Sequence, residues 1–213
     1  MCYRHDYPPS EDTDAQGNEL PLPVPSRMIW MLDSLYSREE ATSGEIDPRA
    51  IWVKAERRLC DEFGLELERT TWWDARRDDG HPVQLKSCAT HYSNGEIGRF
   101  QIWERQISML RHGGFFAFLV YFPEYRQYIV ATHMIPTLDI PESRDRWLIR
   151  HETMGTQWCS FIEWPEIVPL EAIPFGCRQK FTEYYSEDEV ENTLYLQPSM
   201  DAEPSDETEE TEE

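Results

Sequence analysis

Lysine is the scarcest charged residue in this chain: only Lys54, Lys86 and Lys180 occur, against 17 arginines. No apolar run approaches the roughly 18 residues that a membrane-spanning helix needs, and the polar, proline-bearing N-terminal stretch does not read as a secretory signal. The five cysteines (Cys2, Cys60, Cys88, Cys159, Cys177) are odd in number and widely scattered. None forms a Cys-x-x-Cys pair, so neither a zinc site nor a disulfide scaffold is indicated. The six histidines lack metal-ligand spacing, no glycine-rich loop is built to cradle phosphate, and no serine sits in a nucleophile elbow. His81 and His91 read as turn residues. These absences leave a soluble protein of a reducing compartment, with no membrane partner.

What is abundant is acid. The formal charge is −21, from 41 acidic and 20 basic residues. Residues 183–213 hold 13 acids and no base, and residues 1–26 hold 5 acids and Arg4. Residues 27–182 keep 23 acids and 19 bases, a net of −4. The extreme acidity therefore belongs to the tails. Acid-rich, lysine-poor composition points to the cytoplasm of a halophilic microbe or its virus; the plainer alternative is a mesophilic protein with an acidic tail. Either way, a lysine at position 86 inside a strand is not surface filler.

The organisation follows. Residues 1–26, with five prolines among polar residues, read as a disordered arm. Residues 27–182 read as one α/β domain, and residues 183–213 as a disordered acidic tail suited to a protein partner. Met28 to Tyr36 suggests a short helix. Asp47–Phe63 reads as a helix, with Asp47 as N-cap, Pro48 at its first position and Gly64 as its stop. Its apolar arc holds Ile51, Trp52, Ala55, Leu59 and Phe63, and two acids intrude, Glu56 and Glu62. Glu62 lies in the last turn and reaches water. Glu56 is mid-helix, where an unpaired carboxylate is costly: it either pairs with an arginine such as Arg69 or serves a site. Leu65–Thr71 alternates as a strand. Gly98–His112 has helical spacing through Phe100, Trp103, Ile107 and Leu110, closed by Gly113-Gly114. Phe115–Phe122 reads as a strand covered on both faces, and Tyr125–Thr132 as another. Beyond Pro136, Arg146–Arg150, Trp158–Trp164 and Glu171–Phe175 read as strands or small packing elements.

The chain is organised around residues 72–88. Trp72, Trp73, Asp74 and Ala75 lead into the charged turn Arg76-Arg77-Asp78-Asp79-Gly80, where Asp-Gly signals a hairpin. In the returning strand Val83, Leu85 and Ser87 face one way, and Gln84, Lys86 and Cys88 the other. Closing the hairpin brings Asp74 to the same end of the sheet as Gln84 and Lys86. An acid, an amide and a lysine so placed suit a hydrated divalent cation and a phosphate; the alternative is a cross-strand ion pair on a solvated face.

Helix, strand, hairpin, helix, strand, with Asp74 ahead of Gln84-Leu85-Lys86, resembles the PD-(D/E)XK nuclease superfamily over about residues 47–132. The resemblance implies a restriction-endonuclease-like core, a mixed central sheet with helices on both faces. It makes Asp74 the first acid, places Gln84-Leu85-Lys86 in the second motif, and sets Glu56 where the family often carries a helical glutamate. No proline precedes Asp74, and Gln84 stands where an acid is usual, which removes one negative charge from the metal site.

By that resemblance Asp74, Gln84, Lys86 and Glu56 are the catalytic candidates. Asp74 Oδ, Gln84 Oε1, the Leu85 carbonyl and Glu56 are the candidate ligands for Mg²⁺ or Mn²⁺, hard cations that prefer oxygen. Arg76, Arg77, Gln101 and Arg105 are expected to contact the DNA backbone. The expected activity is metal-dependent hydrolysis of DNA by an endonuclease. The alternative is a degenerate nuclease fold kept as a DNA- or protein-binding module. Many nucleases of this kind act as homodimers, although no stretch here marks an interface.

Overall fold

The computed structural model describes residues 32–36, 48–123, 128–151 and 155–194. The order is α1 (Pro48–Phe63), β1 (Glu66–Leu67), β2 (Ala75–Arg76), β3 (Pro82–Ala89), β4 (Arg99–Trp103), α2 (Glu104–Leu110), β5 (Phe115–Phe122), β6 (Tyr128–Pro136), β7 (Arg146–His151), β8 (Gly155–Glu163) and α3 (Glu187–Leu194). Short 3₁₀ segments fill Trp164–Glu166, Leu170–Ala172 and Phe175–Tyr184. The expected arm at 1–26 and the acidic residues 195–213 lie outside the described residues.

The Phe115–Phe122 run is the central strand that its composition predicts. It carries no charge and every position is buried or nearly so, because both of its faces are covered. β3 lies parallel beside it, with Val83 opposite Phe115 and Ala89 opposite Tyr121. β6 flanks β5 on its other side, antiparallel. The five-stranded sheet runs β1-β2-β3-β5-β6. This mixed α/β arrangement is a restriction-endonuclease-like core.

Helix α1 covers one face. Ala55, Leu59 and Cys60 pack on Val83, Leu85, Ala117 and Leu119, the residues that strand alternation turns toward it. Gly64, at φ +61°, ends the helix, and the Leu65 N–H closes it onto the Cys60 carbonyl at 2.9 Å. Glu62 meets Arg58 at 3.1 Å near the surface. Trp52, placed in the apolar arc by the helical wheel, is instead 47% exposed.

The opposite face, bearing Cys88, Phe116, Phe118, Val120 and Phe122, is covered differently from expectation. Residues 98–112 do not form one helix: Arg99–Trp103 is strand β4, and only Glu104–Leu110 is helical. Phe100 and Ile102 are buried while Gln101 between them is exposed, so the segment also satisfies a period of two. Its aromatic and β-branched residues suit a strand, and β8 supplies the partner, from Arg99 opposite Glu163 to Trp103 opposite Cys159. A three-stranded sheet, β4-β8-β7, together with Leu110 of α2, therefore closes the second core.

Four smaller expectations change. The strand expected over 65–71 shrinks to Glu66–Leu67, because Thr70 Oγ1 accepts the N–H groups of Trp72 and Trp73 and turns the chain. The sixth strand runs Tyr128–Pro136, later than the alternation suggests. Residues 32–36 form no helix; Ser34 bridges Tyr128 in β6 instead. The chain expected to be disordered from Tyr184 carries α3 over Glu187–Leu194, because buried Arg178 donates to the Glu171, Ile173 and Thr193 carbonyls and ties this region down.

Gly98 leads into β4 where the chain must pass close to the end of β3. A Cβ there would sit 1.6 Å from the Ala89 carbonyl oxygen, and backbone cannot swing aside as a side chain does. Gly98→Ala is expected to cost about 3 kcal/mol, read as a lower urea midpoint at unchanged slope; a loss under about 0.5 kcal/mol, the scale of ordinary surface changes, would contradict this packing.

Candidate active site

β3 is paired along its whole length with β5 on one edge, but with β2 on the other only at Pro82 and Val83. The chain before β2 turns away at Trp73 and Asp74. From Leu85 onward the second edge of β3 pairs with no strand among the described residues. Asp74 lies where that pairing ends. Its backbone N–H donates to the Val83 carbonyl at 3.0 Å, and the register sets it opposite Gln84.

The expected cluster forms here. Asp74 Oδ2 accepts the Leu85 N–H at 3.1 Å and the Gln84 Nε2 amide. Gln84 is buried, and its Oε1 has no hydrogen-bond partner. Lys86 follows two residues on, on the same face as Gln84, and among the described residues it makes no ion pair within bonding distance. Burial pushes the Lys86 ammonium down to about 8, against the opposing pull of Asp74. Burial likewise pushes the Asp74 carboxyl up, opposed by the Leu85 N–H and by the Lys86 charge. Two ionisable groups held away from their ordinary values thus lie together at the end of an open strand edge, a combination that clusters at functional sites.

Glu56 reaches the same region from α1. Its side chain is 15% exposed, and Arg69 Nη2 lies 2.7 Å from its Oε2. Of the two alternatives raised by the sequence, the structure shows the arginine pairing; Glu56 is also close enough to Asp74 to feel its charge. Burial first, then Asp74, pushes the Glu56 carboxyl up, and the Arg69 hydrogen bond pulls it down.

The remaining candidates divide. Arg76 Nε is 2.6 Å from Glu68 Oε2, and Arg77 Nη2 is 2.9 Å from Asp79 Oδ2 while its guanidinium lies over Phe115. Asp79 is thereby occupied by Arg77 and does not claim Lys86. Arg105, on α2, stacks over Trp72 with 5.7 Å to the ring centroid. Gln101 sits on β4 rather than on a helix, so it does not share a helical face with Arg105; it lines a cleft with Lys86. That cleft, about 450 Å³, runs along the open edge of β3 between α1 and β4. Asp74 and Gln84 lie beyond its end, while Glu56, Leu85 and Lys86 line it. His91, pinned by Tyr184 at 2.6 Å, and His81, against Phe115, stand apart from it. Sequence reasoning missed Tyr92 and Arg99 as cleft residues; Arg99 falls in the segment expected to be helical, and Tyr92 in the chain just before it.

With the geometry in view, comparison with known proteins is direct. The PD-(D/E)XK nuclease superfamily domain matches residues 52–167, more than half of the chain, and the chain belongs to that superfamily. The match extends past the core expected from sequence and takes in β7 and β8. No curated protein sequence matches. Membership supports a nuclease-like function on nucleic acid, in a superfamily whose nucleases generally use divalent metals. No helix among the described residues is long and apolar enough to cross a membrane.

The residues fit a hard cation, with a smaller acidic set than usual. Among the described residues no group of three His, Cys, Asp or Glu side chains converges as metal ligands. The donors that do converge are Asp74, Gln84 and the Leu85 carbonyl, which lies 3.5 Å from Gln84 Nε2. A half-turn of the Gln84 amide would exchange its two ends and aim the unpartnered Oε1 at Asp74, as a shared cation requires.

Burial of the Lys86 ammonium is a cost to the fold. Between about 8 and 10.5 the unfolded chain keeps a proton that the folded chain releases, so stability should rise with pH across that window. Lys86→Met is expected to flatten that rise and to stabilise the protein at pH 7 by roughly 1–3 kcal/mol. Unchanged or lower stability of Lys86→Met in chemical denaturation would show that Lys86 is not held against its preference.

Proposed function

We propose that the protein is a Mg²⁺- or Mn²⁺-dependent phosphodiesterase that cuts DNA internally. The observation that carries this is the convergence of Asp74, Gln84 and Leu85 with Lys86 where β2 leaves β3. Asp74, Gln84 Oε1 and the Leu85 carbonyl would hold the cation. Bound there, it would polarise the scissile phosphate and lower the pKa of the attacking water. The half-buried ammonium of Lys86 offsets charge that develops on the pentavalent phosphorus, and in a desolvated setting it does so more strongly than in water. Glu56 adds a carboxylate when Arg69 turns to the substrate phosphate. Gln101 and Arg105 contact the strand on either side, and Arg76 and Arg77 meet phosphates at the hairpin turn in competition with Glu68 and Asp79.

A second reading, a degenerate fold that binds DNA or protein without cutting it, is favoured by two observations. Gln84 replaces an acid, and the one remaining helical acid is tied to Arg69. Neither dimerisation nor a partner for the acidic tail is required by the cleavage reading.

Supercoiled plasmid separates the two readings. Wild type should nick it with Mg²⁺ or Mn²⁺, and Lys86→Ala and Asp74→Asn should each lose about 100-fold or more. Nicking that persists in molar KCl would support a halophilic setting. No nicking at low or molar KCl would leave the binding module, and equal nicking by wild type and Lys86→Ala would place the chemistry elsewhere.

A further inference from the structure

The cleft along β3 has walls that a phosphate site does not need. Trp52 from α1 and Tyr92 from the turn before β4 both line it, at 47% and 38% exposure, and so does Phe161 of β8, the strand neighbour of Gln101. Large aromatic rings left in water cost hydrophobic free energy that burial against the core would recover. These rings are also held in place. Tyr92 Oη accepts the Arg99 N–H at 3.1 Å and lies 3.3 Å from the Arg99 carbonyl. The Trp52 ring has the Arg69 guanidinium 5.3 Å from its centroid. A volume of about 450 Å³ falls within the roughly 300–1,000 Å³ of small-ligand pockets, enough for one base with its sugar.

An intact duplex offers such walls nothing, since its ring faces are stacked inside and only sugar and phosphate would reach the cleft. An unpaired strand presents both a phosphate to Lys86 and a free base to the rings. Base–aromatic stacking contributes about 1–3 kcal/mol per base and tolerates any sequence. We propose that this cleft binds an unpaired nucleobase against Trp52 and Tyr92, so that the preferred substrate is DNA single-stranded at the point of cleavage. The inference rests on the nucleic-acid reading of the site, and it names the substrate class within it. It accommodates plasmid nicking, because negative supercoiling exposes short unpaired stretches.

The test is binding without cleavage. Fluorescence anisotropy with Ca²⁺ in place of Mg²⁺ would compare a labelled single strand, the duplex of the same sequence, and the single strand made abasic at one site after another. Single-stranded DNA should bind at least tenfold tighter than duplex. Tyr92→Ala and Trp52→Ala should each weaken single-strand binding by about five- to tenfold or more and leave duplex binding unchanged. Tyr92→Phe, which keeps the ring, should retain most of the affinity. One abasic position should cost wild type a similar factor while costing Tyr92→Ala little, a control that does not depend on how well any variant folds. Equal or tighter binding of duplex, or single-strand affinity indifferent to both ring removal and abasic sites, would overturn the proposal. Plasmid nicking without a single-strand preference sinks this inference alone; a single-strand preference without nicking sinks the catalytic reading alone. Absence of binding to either DNA sinks both.

Discussion

The structure depends on one interruption. β3 is held by β5 along its full length and by β2 for only two residues, so one edge of a central strand is left open in the interior of the fold. Everything proposed for the site follows from that edge. It releases Asp74 from a strand to face Gln84, turns the Leu85 backbone toward Asp74, and sets Lys86 in a half-buried position without an ion-pair partner among the described residues. A β2 strand a few residues longer would satisfy β3 and close the cleft. The Thr70 hydroxyl, which accepts two backbone N–H groups, is what keeps the preceding chain out of the sheet.

The electrostatics show what the arrangement lacks. Asp74 and Glu56 are both raised by burial, Glu56 further by the Asp74 charge, and Lys86 is lowered by burial. Burial opposes the charged form of each. The Arg69–Glu56 bond partly compensates, and the Gln84 amide does the same for Asp74. Both compensations are of the kind a cation would displace: an amide can present its oxygen instead of its nitrogen, and a partly exposed arginine can move to a phosphate. A charge-neutral Gln84 in place of an acid predicts weaker cation binding than three carboxylates would give, not a different site.

Much of this was legible in the chain. The Asp-Gly turn fixed the hairpin register that sets Asp74 opposite Gln84, and the uncharged Phe115–Phe122 run identified the central strand to the residue. Alternation alone separated Gln84 and Lys86 from Val83 and Leu85. The wheel of α1 marks Glu56 as misplaced, and the arginine named as its partner, Arg69, is the one it meets. The second helix was not legible in the same way. Phe100-Gln101-Ile102-Trp103 satisfies periods of 3.6 and 2 together, and its strand state is decided by β8, some sixty residues later. The same long-range pairing hid the cleft, because Gln101, Arg99 and Tyr92 reach it only once β4 exists. The helix at Glu187–Leu194 was obscured by its acidity; three hydrogen bonds from buried Arg178, not local propensity, hold the region in which it lies.

The central claim is that Asp74 and Gln84 share a divalent cation at the open edge of β3. Mn²⁺ binding followed by the loss of its free electron-paramagnetic-resonance signal tests it without any substrate. The account predicts one site in wild type, its loss in Asp74→Asn, and about tenfold tighter binding in Gln84→Glu, where a carboxylate restores the missing charge. Mn²⁺ affinity that is the same in wild type, Asp74→Asn and Gln84→Glu would contradict it, and with it the reading of this cluster as a metal site.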